Sequence, residues 1–170
     1  MKTVISASRR TDLVASFPEW LAEALRERRA RVVGPKGGTH AIDLAPEVVH
    51  TIVLWSKDYS NLLGDAHGLQ GLLAVYDQLY LHFTITGMGG TPIEPGGPDY
   101  RAALAQLPAL AALVGNPLRV SVRFDPLLFW KERDRTRSNR NLFPEVAEAA
   151  AAAGIRDIRV SFAQWYGKAV

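Results

Sequence analysis

The stretch LRVSVRFD, residues 118–125, decides the fold, because apolar and polar residues alternate in it from Val120 onward. Side chains of a β-strand point to opposite faces in turn, so one face of this predicted strand carries Ser121, Arg123 and Asp125. Strands of a doubly wound sheet are apolar on both faces, since helices cover both sides of the sheet. A polar face in a helix-rich chain therefore favours a barrel that encloses a pocket.

Four further runs of β-branched and aromatic residues are predicted strands: TVISAS (3–8), HTIVLW (50–55), LYLHFTIT (79–86) and DIRVSF (157–162). Segments of helix-forming composition lie between the strands, at residues 17–30, 68–78, 99–115 and 143–154. Residues 30–46 are predicted to add a β-hairpin that turns at Gly37-Gly38. This order predicts an α/β fold made of parallel β/α units.

The predicted fold class is a partial (β/α) barrel of the TIM-barrel type, with about five parallel strands and alternating helices. A complete barrel of this type uses eight strands in about 250 residues, so these strands are too few to close it. We expect one domain over residues 1–170. That domain is naturally open, is completed by another chain, or is a fragment of something longer.

The composition restricts the class of protein. The chain has 170 residues, of which 48% are apolar, so it can build a hydrophobic core. It has no apolar run of about 18 residues, and we expect a cytoplasmic protein without a membrane segment. The sequence contains no cysteine, which excludes disulfides, thiolate catalysis and cysteine-ligated metal clusters within these residues.

Positive charge is concentrated at residues 131–140. This segment contains five Lys or Arg residues and two acidic residues, which gives it a net charge of +3. Such a segment attracts phosphate-rich ligands or nucleic acid, although a solvated basic loop is commoner. The histidines His40, His50, His67 and His82 show no spacing typical of metal ligands, and we assign no metal site to them.

Polar residues gather where each predicted strand ends, and (β/α) barrels build their active sites at that end. Candidate catalytic residues, which would orient a ligand or move a proton, are Asp12, Lys57, Glu94 and Asp125. Candidate ligand-binding residues are Ser8, Arg9, Arg10, Thr11, Trp55, Thr84, Thr86, Arg123 and Ser161. The alternative is a network of ion pairs that only orders the loops.

Five motifs in order along the chain carry a family resemblance: SASRRTD (6–12), PEVVHTIVLWSKD (46–58), FTITGMG (83–89) with IEP (93–95), RFDP (123–126) and VSFAQWY (160–166). Together they resemble domain of unknown function 1848, a bacterial family. The resemblance implies a larger barrel-like protein that continues past the fifth strand to a cysteine cluster. That cluster is similar to the iron–sulfur motif of radical S-adenosylmethionine enzymes, and the present sequence has no cysteine to form it.

Two functional hypotheses follow. In the first, the chain is the N-terminal portion or a degenerate form of a radical S-adenosylmethionine-like barrel enzyme, with a phosphate or carboxylate site at the strand ends. In the second, it is a non-catalytic module for an anionic ligand, for nucleic acid at residues 131–140, or for a second copy or partner chain that completes the barrel. No cofactor is assigned to the chain. S-adenosylmethionine, or a divalent metal held by Asp12, Asp58, Glu94 and Asp125, is a weaker third hypothesis.

Overall fold

The computed structural model describes residues 1–7, 11–34 and 37–163. The strands are β1 (Thr3–Ser6), β2 (Arg29–Val33), β3 (Thr39–Asp43), β4 (Val49–Ser56), β5 (Gln78–Thr84), β6 (Val120–Leu127), β7 (Phe129–Glu132), β8 (Arg135–Ser138) and β9 (Asp157–Phe162). The α-helices are α1 (Leu13–Ser16), α2 (Pro18–Arg26), α3 (Ser60–Leu63), α4 (Leu69–Ala74), α5 (Tyr100–Leu113) and α6 (Phe143–Ala152). Within these residues, no helix is long and apolar enough to cross a membrane.

Five of the strands form one sheet in the order β1-β4-β5-β6-β9. β1 is parallel to β4, and β6 is parallel to β9. The four predicted helical segments contain α2, α4, α5 and α6, so strands and helices alternate as expected. The predicted α/β class, a partial (β/α) barrel-like fold of five strands, is therefore confirmed.

The chain divides into two compact units, Met1–His82 and Phe83–Val170. That residues 1–170 act as one domain stays a prediction.

The first unit is built around β4 and α2. Proline at the first position of α2 suits a helix start because its missing N–H needs no partner there. The buried side of this helix carries Leu21 and Leu25, while Ile52 and Leu54 of β4 are also buried. The predicted hairpin is confirmed as the antiparallel pair β2–β3, and Gly37 in its turn has a φ of +83°, which glycine adopts without strain.

The second unit is built around β6, α5 and α6. Val120, Val122 and Phe124 of β6 are fully buried, and the Phe124 ring packs edge-on against Phe143 of α6 at 5.6 Å between centroids. Asp99 caps the start of α5, because its carboxylate accepts the N–H groups of Arg101 and Ala102.

The structure differs from the sequence prediction at the basic segment. Residues 129–138 form the antiparallel hairpin β7–β8, whereas we predicted a basic loop at 131–140. In β9, Val160 is 44% and Phe162 is 71% exposed. Among the described residues, β9 is the last strand of the sheet and pairs with β6.

Candidate functional site

In the first unit, the Asp12 carboxylate ties the residues after β1 to the end of β4. Its Oδ1 accepts the N–H of Ala15 at 2.9 Å, which caps α1. Its Oδ2 accepts the N–H of Lys57 at 2.9 Å, and the Ser56 hydroxyl lies 2.8 Å from both carboxylate oxygens. Both oxygens therefore already bind protein donors, which makes Asp12 an anchor between two strand ends.

Asp58 completes this group, which we call the Asp12 cluster (Asp12, Ser56, Lys57 and Asp58). The N–H of Asp58 donates to Ser56 Oγ at 3.0 Å, and its own Oδ1 accepts the N–H of Ser60 at 2.8 Å. Lys57 is half-buried beside them and joins the cluster through its backbone. The structure thus brings two of the predicted catalytic residues, Asp12 and Lys57, to one place.

Trp55 connects this strand end to β1. Its ring stacks on His82 with 3.8 Å between centroids, and its indole N–H donates to Ser6 Oγ at 2.9 Å. We predicted a ligand-binding role for Trp55 but not for His82, which is buried at 7% exposure. An aromatic neighbour one strand away leaves no signal in the sequence of either strand.

Tyr59 makes hydrogen bonds to both β4 and β5. It is fully buried, and its hydroxyl donates to the carbonyls of Leu54 at 3.0 Å and His82 at 3.1 Å. Burial raises the pKa of Tyr59 well above its usual value, and the Asp12 carboxylate raises it further. Tyr59 is therefore held as a neutral hydrogen-bond donor.

The predicted residues before α1 are only partly covered by the structure. Thr11 is exposed and borders a cavity beside β1. Ser8, Arg9 and Arg10 lie outside the described residues.

In the second unit, Asp125 is held by two predicted site residues. One carboxylate oxygen accepts from the Arg123 guanidinium and the other from the Ser161 hydroxyl. The Arg123 and Asp125 side chains are 27% and 19% exposed, so the pair is screened from water but still reachable. The structure thus brings these three candidate residues together, and their role in binding a ligand stays a prediction.

A second arginine lies directly beside Arg123. Arg159 of β9 is the register partner of Arg123 on β6, so both guanidiniums start from adjacent strands on the same face. Asp157 accepts from Arg159 Nε and Nη2 at 3.3 and 3.2 Å. We call these residues the β6–β9 site: Arg123, Asp125, Asp157, Arg159 and Ser161. Its two cations and two carboxylates give this site a net charge of zero.

Ser121 lies on the same face of β6, opposite Asp157 in the register. It is fully buried, and among the described residues its hydroxyl has no hydrogen-bond partner. A buried hydroxyl without a partner is uncommon, which distinguishes this face from a fully satisfied structural network.

Thr86 and Glu94 form a further pair at the end of β5. The Thr86 hydroxyl donates to Glu94 Oε2 at 2.5 Å and accepts the N–H of Met88 at 3.1 Å. The Glu94 backbone carbonyl accepts from Gly90 and Gly97, which folds the loop back on itself. Glu94 thus orders its own loop. Thr84 is the half-buried last residue of β5.

Asn139 is a further residue of this unit, besides Asp157 and Arg159, that we did not predict from the sequence. It is 1% exposed, and its Nδ2 donates to the carbonyls of Thr86 at 2.8 Å and Pro126 at 2.9 Å. Its Oδ1 accepts the N–H of Leu128 at 3.0 Å. One amide therefore joins the ends of β5 and β6 to the β7–β8 hairpin, although in the sequence it resembles an ordinary turn residue.

The residues present do not fit an iron–sulfur cluster, because the sequence contains no cysteine. The described residues also contain no group of three or more His, Asp or Glu side chains that could hold a metal ion. Of the four carboxylates that we considered as metal ligands, Asp12 and Asp58 lie in the first unit, and Glu94 and Asp125 lie in the second.

Fold and site define an α/β protein of the partial (β/α)-barrel class with hydrogen-bonded polar clusters at its strand ends. The chain belongs to the family described as Domain of unknown function (DUF1848), whose model matches residues 4–170. The family resemblance inferred from the sequence motifs is therefore confirmed. No curated protein and no solved structure matches the chain.

Proposed function

We propose that the second unit binds a small anionic molecule, a carboxylate or a phosphate, at the β6–β9 site. The observation that carries this proposal is the register pairing of Arg123 with Arg159. Adjacent strands lie about 4.8 Å apart, so two guanidiniums on one face can contact the same oxyanion. Planar guanidinium groups suit this role because each can offer parallel N–H donors to two oxygens.

The carboxylates hold the arginines in place for the ligand. Asp125 restrains Arg123, Asp157 restrains Arg159, and Ser161 in turn restrains Asp125. A restrained guanidinium loses less conformational entropy when it binds a ligand than one that is free to rotate. Because both Asp125 oxygens are occupied, we assign Asp125 to positioning and not to proton transfer.

This assignment favours the binding module over the enzyme. In the enzyme alternative, the β6–β9 site would anchor the substrate of a radical S-adenosylmethionine-like protein, and Glu94 of the same unit would be a further catalytic candidate. The cysteines for a cluster would then have to come from outside these 170 residues.

The test is isothermal titration calorimetry of the 170-residue chain with inorganic phosphate, acetate and succinate. Arg123→Ala and Arg159→Ala should each weaken binding by at least about tenfold, the usual loss for a charge-assisted hydrogen bond. Arg31→Ala is the control, because Arg31 is an exposed arginine of β2 in the other unit. The proposal fails if none of the three anions binds, or if the control weakens binding as much as the site variants do.

A second candidate function, nucleic-acid binding, is favoured by the β7–β8 hairpin. Its register places Phe129 and Lys131 on one face, together with Thr136 and Ser138. Phe129 is 55% exposed, and an exposed ring beside cations is typical of surfaces that bind single strands by stacking.

Fluorescence anisotropy with a labelled single-stranded oligonucleotide tests this second function. Phe129→Ala and Lys131→Glu should each weaken binding, and Lys131→Glu should also reduce its dependence on salt. Val75→Ala, an exposed apolar residue outside the hairpin, should have no effect. Equal binding by all variants would exclude the hairpin as the contact surface.

A further inference from the structure

The first unit contains an apolar cavity of about 640 Å³ beside β1. It lies between β1, α2 and the β2–β3 hairpin, and we call it the β1 groove. Its lining includes Val4, Trp20, Leu25, Val32, Val33 and Ile42. None of the described lining residues is Asp, Glu, Lys or Arg. A groove whose described lining carries no charged side chain favours apolar, uncharged groups.

Several side chains of the β1 groove are exposed although they are apolar. Val4 is 61% exposed, Val33 57% and Trp20 40%. Contiguous apolar surface of this kind typically marks a site of interaction, since its removal from water is favourable.

The backbone of β1 adds hydrogen-bonding groups to this surface. Thr3 and Ala7 donate their N–H groups to the carbonyls of Val48 and Val53, on the side of β4. Because these groups alternate along a strand, the N–H and C=O of Val4 and Ser6 point to the opposite edge. β1 is the end strand of the sheet that the described residues form, and the edge of an end strand can accept an added strand.

The other end strand, β9, has matching properties. Ala163 donates its N–H to Leu127 on the side of β6, so the backbone groups of Val160 and Phe162 point away from β6. The Val160 and Phe162 side chains are also exposed. The charged residues of β9, Asp157 and Arg159, pair with each other, so the strand adds little net charge to an apolar groove.

We propose that the β1 groove of one copy binds the β9 edge of a second copy, which adds as a strand and buries its apolar side chains there. The contact joins two different surfaces, so it is head to tail, and repeated contacts generate either a closed ring or a filament. This proposal does not depend on anion binding at the β6–β9 site.

The test measures the mass of the 170-residue chain by light scattering over a range of concentrations. The unmodified chain should associate as its concentration rises. Val33→Asp in the groove and Phe162→Asp on β9 should each be monomeric over the same range, with Kd for association raised at least tenfold. Both side chains are exposed, so neither change disturbs the core, and circular dichroism verifies the fold. Val75→Asp is the matched control, because Val75 is 58% exposed but does not line the groove.

An equimolar mixture of the two monomeric variants provides the decisive measurement. Each variant keeps one intact surface, so the mixture should form a dimer of one copy of each and nothing larger. A monomeric unmodified chain or a mixture that stays monomeric would overturn the proposal. So would loss of association in Val33→Asp alone, since that result would indicate symmetric pairing of two grooves.

Discussion

Asn139 shows how much of the second unit depends on the chemistry of one side chain. Its amide has a donor end toward two carbonyls and an acceptor end toward one N–H. The three partners therefore determine which end of the amide is nitrogen. No other residue of similar size offers both a pair of donors and an acceptor in this arrangement.

We expect Asn139→Ala to lower the free energy of unfolding by about 2 kcal/mol or more, because it leaves buried backbone groups without partners. Asn139→Asp should cost at least as much, since a carboxylate oxygen would then face the carbonyls of Thr86 and Pro126. Urea denaturation measures both changes. Asn141→Ala is the control, because Asn141 is exposed and its loss should be within about 0.5 kcal/mol.

Tyr59 predicts a dependence of stability on alkaline pH. Its pKa is raised in the folded chain by burial, whereas the unfolded chain releases the phenol proton near the usual value of about 10. The unfolded state then binds fewer protons than the folded state, so the free energy of unfolding falls as the pH rises above about 10.

Urea denaturation between about pH 9 and 11 measures this slope, which should be shallower in Tyr59→Phe. Tyr76, whose pKa is also raised mainly by burial, remains in both proteins and contributes equally. At neutral pH, Tyr59→Phe should cost about 1 kcal/mol through its two lost hydrogen bonds. Identical slopes would mean that Tyr59 does not ionise on unfolding.

At the scale of elements, the loop after β5 contains two glycines at positions where neighbouring atoms leave no room for a side chain. A Cβ at Gly89 would lie 2.0 Å from the carbonyl oxygen of Pro98, and one at Gly97 would lie 2.6 Å from Glu94 Cγ. The first contact is with backbone, so the loop cannot relieve it by moving a side chain.

Gly89→Ala should therefore destabilise the chain by about 2 kcal/mol or more and loosen the Thr86–Glu94 pair. Gly96→Ala is the matched control, since a Cβ there meets nothing within 4 Å and the residue has no positive φ. It should be neutral or stabilise by about 0.4 to 1 kcal/mol, because alanine restricts the unfolded chain. Thermal unfolding of the two variants compares these outcomes, and equal melting temperatures would contradict the steric explanation.

The two hairpins show what a sequence can and cannot predict at this scale. β2–β3 was predicted because Gly37-Gly38 is a strong turn signal between apolar residues. β7–β8 was missed because its turn, Arg133-Asp134, contains no glycine. Arg133 adopts a φ of +54°, which residues other than glycine rarely adopt.

The residues of the β6–β9 site can be inferred from the sequence only in part. The alternation in each strand predicts that Arg123, Asp125 and Ser161 lie on polar faces. The pairing of Arg123 with Arg159 depends on the register between strands, and neither strand encodes that register by itself. The contacts of Asn139 cannot be predicted from a local pattern either, because each of its three partners lies more than ten residues away in the sequence.

For the whole molecule, the two proposed contacts should differ in their response to salt. Anion binding at the β6–β9 site is electrostatic, so raising sodium chloride from about 0.05 to about 0.5 M should weaken it several-fold. Association through the β1 groove buries uncharged surface and should not weaken. Calorimetry and light scattering at the two salt concentrations compare the effects, and a parallel loss of both would indicate that association is also electrostatic.

The strand order also has a consequence for how the chain is made. β1 pairs with β4, as in the pairing of Thr3 with Val49, and the β2–β3 hairpin is synthesised between them. On the ribosome, the nascent hairpin can form as soon as it emerges, because its contacts are local. β1 must wait for β4, so the strand of the sheet that is synthesised first is among the later ones to gain its native partner in the first unit.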